Sequence, residues 1–235
     1  MSFTILFFLV PIGAIVAWWI SQQRLTAKPW LEVSAIGEVP DTGASSLPAA
    51  TIGLGVFLAV VSSLFALFIS AYFMRMQVAD WAEMPSPKVL WFNTGVLILS
   101  SVALQYANVA ARRGRMEGVL DGLIAGNLFA FIFLVGQLFA WRQLNAAGYF
   151  LTANPANAFF YLLTGLHGLH LLGGLVVLVL TTEKVWRGFE LAQVHLSVKL
   201  CAIYWHFLLL LWLVLFSLLT PWVGDFADIC RQLLI

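Results

Sequence analysis

Residues 157–182 read NAFFYLLTGLHGLHLLGGLVVLVLTT, with two histidines, His167 and His170, three positions apart and no charged side chain. A helix of this length rises roughly 39 Å, enough to cross a hydrocarbon layer of about 30 Å with some tilt. An imidazole at that depth is costly unless it faces other helices, bound water, a lipid headgroup or a metal. The histidine side of the helix is therefore expected to lie against protein.

Composition extends this reading to the whole chain. Its 235 residues are 62% hydrophobic and only 10% charged, which puts the protein in the polytopic membrane class. A net charge of +1 without a basic run argues against nucleic acid as a partner, and no extramembrane stretch is long enough for a soluble active site. The two cysteines, Cys201 and Cys230, are too few for a disulfide framework or a metal cluster.

Six apolar runs follow one another. Residues 3–20 form the first, with Pro11 inside it. Neither a positive segment before it nor a small-residue cleavage site after it marks a signal peptide, so a retained helix over 1–21 is expected. Residues 22–49 are a polar connection rich in proline, glycine and serine. The second span covers 50–73, the third 89–111, the fourth 122–141, the fifth 157–182 and the sixth 200–221, with a short tail over 223–235. Gly118, Gly122 and Gly126 repeat every four residues, which predicts a helix face that a neighbouring backbone approaches closely. No internal repeat is visible, which counts against an inverted-repeat transporter.

With six spans, both termini share a side of the membrane. That side carries Arg75, Lys88, Arg142 and Arg231. The other carries Arg24, Lys28, Arg112, Arg113, Arg115, Lys184, Arg187 and Lys199, so it is expected to be cytoplasmic and both termini outside.

His167 lies about ten residues into the fifth span and His206 about seven into the sixth, roughly 15 Å and 10 Å deep, so the two could meet on neighbouring helices. A bis-histidine haem, and hence a membrane b-type electron carrier, needs such a pair; hydrogen bonding to a neighbouring helix or an ordered lipid is the commoner use of a polar group there. His167 and His170 stand one turn apart, but a metal would want third and fourth ligands, and the span offers no Asp, Glu or Cys. Between their ends the six spans hold no Asp or Glu at all, which leaves the chain little with which to relay protons. Asn93, Gln105, Asn108, Asn127 and Gln137 remain as interior hydrogen-bonding groups, expected to serve helix packing. Trp18, Trp19, Trp81, Trp91, Trp141, Trp186 and Trp222 fall near span ends as an aromatic belt, whereas Trp205 and Trp212 sit within the sixth span and are expected to pack.

Two motifs resemble subunit III of the haem-copper terminal oxidases, the cytochrome c oxidase type. One is Phe159-Phe160 with Thr164-Gly165-Leu166-His167-Gly168-Leu169-His170; the other is Tyr204-Trp205-His206-Phe207 followed by Trp212. Ala71-Tyr72 with Asp80-Trp81, the run from Trp91-Phe92-Asn93-Thr94 to Ser100-Ser101-Val102-Ala103-Leu104, and Gln137 with Trp141 are similar too, so the resemblance covers 50–222.

The resemblance implies an all-α polytopic membrane bundle with a five-helix core over 50–222; the apolar runs make it six transmembrane helices, with a single helix before the 50–73 span where larger members of the family have two. It implies a subunit of an enzyme complex of the aerobic respiratory chain, without a catalytic centre of its own, packed beside oxidase subunit I and subunit II. Haem and copper belong to those partners, and no cofactor is expected in this chain. Membrane phospholipids in a cleft, support of the partner's proton uptake during oxygen reduction and a place in a bacterial inner membrane are implied as well; an accessory role in a nitric oxide reductase-like assembly is the neighbouring alternative. His167, His170, Tyr204, Trp205, His206, Gln137 and Asn93 are then structural, lipid-facing or interhelix polar sites. The chain departs from the family pattern at Val61, where a buried glutamate is frequent and only Ser62-Ser63 lies beside it, and at Ala140, Lys199 and Leu209, where acids are frequent.

Overall fold

The computed structural model describes residues 48–82, 87–188 and 191–220. Five helices account for nearly all of them: α1 over Ala49–Arg75, α2 over Val89–Arg112, α3 over Met116–Ala146, α4 over Pro155–Trp186 and α5 over Leu191–Leu219. All five are long and apolar enough to cross a membrane. The described residues thus hold five of the six expected spans. The span over 1–21, nearly all of the connection to 49 and the tail 223–235 lie outside them, as do Trp18, Trp19 and Trp222.

The helices outrun the apolar runs that mark them. α3 is 31 residues long, so it rises roughly 46 Å and both its ends project past the hydrocarbon layer. Glu117 therefore rides in its first turn, where a carboxylate complements the helix dipole, and Asp121 follows one turn on. α5 likewise begins at Leu191 and takes in His195 and Lys199. Hydropathy marks where a chain is apolar, whereas the backbone hydrogen-bond ladder continues until a capping residue stops it.

Glycine does the stopping at three ends, Gly188 after α4 at φ 78° being one. Gly114 follows α2 at φ 74° and Gly148 follows α3 at φ 88°, the left-handed region that a side chain disfavours. Each turn closes with paired bonds back into the helix, Arg115 N to Ala110 O at 3.0 Å and Tyr149 N to Leu144 O at 3.0 Å. α4 starts on Asn154, whose side chain accepts from Ala156 N, with Pro155 as the first helical residue.

α2 packs on α3 and α5, and α4 also packs on α3 and α5, so these four close into a ring; α1 lies against the outer side of α4 and α5. The ring encloses a core that includes Leu97, Leu104, Leu123, Phe133, Leu171, Leu178 and Trp205. The glycine face of α3 meets α2 as expected. A Cβ added at Gly122 would stand 2.8 Å from both Ala103 O and Ala107 Cβ, and one at Gly126 would stand 2.8 Å from Leu104. α1 contributes the buried Val61 and Phe65 to a smaller cluster with Leu163, Leu211 and Leu215, and Phe68, Ile69 and Tyr72 pack against it half-buried.

Candidate functional site

The polar side chains singled out from the sequence fall into three places. His167 is wholly buried on α4, its ring 5.9 Å from Phe133 of α3 and 5.2 Å from Trp212 of α5. Neither ring nitrogen has a hydrogen-bond partner among the described residues. One turn on, His170 looks the other way. Its Nδ1 donates to Leu166 O at 2.8 Å, and its ring lies 5.7 Å from Phe65 and 6.3 Å from Phe57 of α1. Tyr204 of α5 donates to His170 O at 2.9 Å, while Trp205 fills the space over Gly174, where a Cβ would stand 2.9 Å from its ring.

His206 belongs to a third place, on the α2 side of α5. Its Nε2 lies 3.1 Å from Gln105 Oε1 and its Nδ1 2.5 Å from Ser101 Oγ. Because a carbonyl oxygen only accepts, the network assigns the proton to Nε2 and makes Ser101 the donor to Nδ1. Both nitrogens are taken by α2, so the bis-histidine pairing with His167 considered from the sequence does not form. The physical reason is helical phase: His206 is turned toward Ser101 and Gln105, whereas His167 is turned toward Phe133.

Asn93 and Gln137 do come together. Asn93 Nδ2 donates to Gln137 Oε1 at 3.3 Å across the α2–α3 seam, and both residues are buried. Asn93 Oδ1 rests on Gly136, where an added Cβ would collide with it, so the glycine makes room for the amide. Trp212 Nε1 donates to Thr94 Oγ1 at 2.9 Å, and Trp141 Nε1 donates to Thr164 Oγ1 at 3.1 Å.

Thr94, Ser101 and Thr164 stand in the quoted motifs, but no site role was read for them from the sequence. Thr94, Ser101 and Asn108 recur at seven-residue intervals along one side of α2, a spacing legible in the sequence. Ser62 and Ser63, read as a substitute for a buried acid beside Val61, turn their hydroxyls back onto Leu58 O and Ala59 O of α1. Their donors are spent on their own helix.

Outside the spans, Arg75 forms a bidentate pair with Asp80 at 2.7 and 2.5 Å, and this hydrogen-bonded guanidinium holds the Asp80 carboxyl below its ordinary range. Asn154 bridges the same loop to α4, exchanging bonds with Ala82 through both ends of its amide. Trp81, Tyr72 and Phe159 stack edge to face beside it.

Among the described residues no three of His, Cys, Asp or Glu gather as a donor set for a metal ion. A groove of about 600 Å³ lies between α1, α4 and α5, bordered by Phe57, His170, Gly174, Lys184 and Tyr204. Five spans of membrane length, joined by interhelix hydrogen bonds and aromatic contacts, define a helical integral membrane protein. The comparisons say which one. The family model described as cytochrome c oxidase subunit III matches residues 47–224, and the chain belongs to that family. It is 32% identical over 176 residues to the cytochrome c oxidase subunit 3 of Thermostichus vulcanus, covering 72% of this chain and 85% of that protein. Similarity to the probable cytochrome c oxidase subunit 3 of Mycobacterium bovis is 32% over 163 residues, 67% of this chain and 78% of the relative. The Synechocystis protein of the same name is 30% identical over 175 residues, 71% of this chain and 72% of its own length.

Proposed function

We propose that this chain is the non-redox accessory subunit of a bacterial respiratory haem-copper oxidase, packed on subunits I and II and prolonging the working life of the catalytic subunit. The observation that carries the reading is how the interior polar groups are used. His206, Trp212, Asn93 and Trp141 each tie one helix of the ring to another, and such bonds make a rigid body for a neighbour to lean on. Haem and copper are assigned to the partner subunits. The six-span topology, with both termini outside, belongs to the same proposal; cysteine labelling at the 112–115 turn tests its orientation, with reaction from the cytoplasmic side only as the expected result.

Phospholipid is the proposed occupant of the groove between α1, α4 and α5. Its walls are mainly apolar, and Lys184 stands at one end as a cation for a phosphate. Support of the partner's proton uptake is assigned to stabilisation of that partner rather than to a carboxylate in α1, because position 61 is valine and the neighbouring hydroxyls are bonded to their own helix.

Deleting the chain from its host tests the proposal. The expected outcome is an oxidase with unchanged haem spectrum and initial oxygen uptake that loses activity during turnover several times faster than the intact complex. A complex that ages at the normal rate would contradict it. A nitric oxide reductase-like assembly, the alternative partner, would instead show nitric oxide consumption lost with the chain.

A further inference from the structure

At one level of the ring, polar side chains from all four helices form a closed circuit. His167 of α4 lies beside Trp212 of α5, with ring centroids 5.2 Å apart, and the Trp212 indole donates to Thr94 Oγ1 of α2 at 2.9 Å. Asn93, the neighbour of Thr94 in the chain, donates to Gln137 Oε1 of α3 at 3.3 Å. Trp141 stands one turn beyond Gln137 and donates to Thr164 Oγ1 of α4 at 3.1 Å, and Thr164 stands one turn before His167. Phe133 closes one side of the circuit, its ring 5.9 Å from that of His167 and 4.9 Å from that of Trp212.

The circuit leaves hydrogen-bonding groups over. His167 is fully buried and neither ring nitrogen has a partner among the described residues; Gln137 is buried as well, and its Nε2 has none either. Turning over both amides of the Asn93–Gln137 pair keeps their mutual bond and leaves the Gln137 oxygen over instead of its nitrogen. Asn93 Oδ1 is a different case, since it rests against Gly136 in the α2–α3 seam. The Thr94 and Thr164 hydroxyls spend their protons on Leu90 O and Phe160 O, so each keeps one lone pair beyond the one that meets an indole. From Pro155 to His167 α4 rises roughly 18 Å, which sets these groups inside the hydrocarbon layer. A buried donor or acceptor left without a partner there forfeits its hydration with nothing in exchange.

The chemistry of the groups left over selects their ligand. A neutral imidazole presents one N–H and one bare nitrogen, Gln137 adds a donor, or an acceptor when turned over, and the threonines add acceptors. A metal ion would be repelled by the N–H groups, an anion by the lone pairs, and no acidic or basic side chain other than His167 is buried among the described residues to balance either charge. Water is neutral, donates as well as accepts, and takes two to four partners. We propose that the ring holds an internal water site at this level, with ordered water bridging a His167 ring nitrogen to the Gln137 amide and to a threonine hydroxyl. His167 then ties α4 to α3 through that water. The site is separate from the groove beside α1, toward which His170 turns, and it does not depend on which complex the chain joins.

An electron cryo-microscopy map of the protein as purified from host membranes, companions included, at a resolution that shows ordered water, tests the proposal. A peak within hydrogen-bond distance of a His167 ring nitrogen and of the Gln137 amide is expected. A direct His167–Gln137 bond, a bond from His167 to another stretch of chain, a metal ion at metal–ligand distances, or no peak where equally buried waters are seen elsewhere would each overturn it. A mutant cycle reads the same bridge without a map. Gln137→Leu is expected to shorten the half-life of the folded protein in warm detergent about fivefold in the parent but only about twofold in a His167→Phe background, where the bridge is already broken and the Asn93 bond alone is lost. The same factor in both backgrounds, or a His167→Phe protein that outlives the parent, would mark a dry interior and overturn the proposal.

Discussion

Along the α2–α3 seam three glycines bring two backbones together, and Ser100 Oγ donates across it to Gly126 O at 2.9 Å. Along α1, Gly53 and Gly55 face open space, and only Val61 and Phe65 are buried. α1 is the more apolar of the two in sequence, so hydrophobicity does not explain its sparser packing. In a bilayer the lipid tails are as apolar as leucine, and helices are held together by close packing and hydrogen bonds. The seam has both. α1 instead depends on two buried side chains and on a clamp at one end, where Asn154 grips Ala82 and Trp81 packs with Tyr72.

The largest expected contrast comes from truncating one buried phenylalanine in each region. Phe133→Ala is expected to cost the ring about 3–5 kcal/mol, read as unfolding in detergent micelles. Phe65→Ala should leave the ring's own transition in place and loosen α1, read as faster labelling of a cysteine substituted for Leu163. Equal loss of the ring's stability in both variants would erase the distinction. Next in size is a methyl group added to each glycine stripe. Gly122→Ala pushes α3 away from Ala103 and Ala107 of α2 and should cost about 1–3 kcal/mol, while Gly53→Ala should stay within about 0.5 kcal/mol of the parent.

Smaller again is Trp212→Phe. It removes the indole donor to Thr94, and a loss of about 1 kcal/mol in the same unfolding assay is expected. The smallest effect concerns the loop next to the α1 clamp. Asp80 has its folded pKa lowered, so its contribution is complete above the ordinary carboxylate value of 3.8 and is lost as pH falls through the lower folded value. Amide protection in the loop, taken relative to the intrinsic exchange rate at each pH, should therefore be flat from pH 7 down to about 4, fall only in stronger acid, and fall with salt, because the pair is exposed.

The positions of the five described spans and the glycine stripe of α3 were legible because both depend on local composition and helical period. Partner choice was not. His167 and His206 have similar sequence surroundings, and only the rotation of α4 and α5 within the ring sends one to Phe133 and the other to Ser101. The length of α3 was hidden for a different reason, since Glu117 and Asp121 interrupt hydropathy without interrupting the helix. The exposed Gln105–His206 pair could be read only once α2 and α5 were seen side by side.

The central claim is that this subunit braces an oxidase and holds no redox centre of its own. Isolating the chain by an affinity tag from host membranes in mild detergent, then resolving the subunits and recording haem absorption for each, tests it most directly. The account predicts stoichiometric copurification with a haem-bearing and a copper-bearing subunit and no Soret band on this polypeptide. A haem that stays with this chain after its companions are removed, or a chain that purifies with no oxidase subunit, would contradict it.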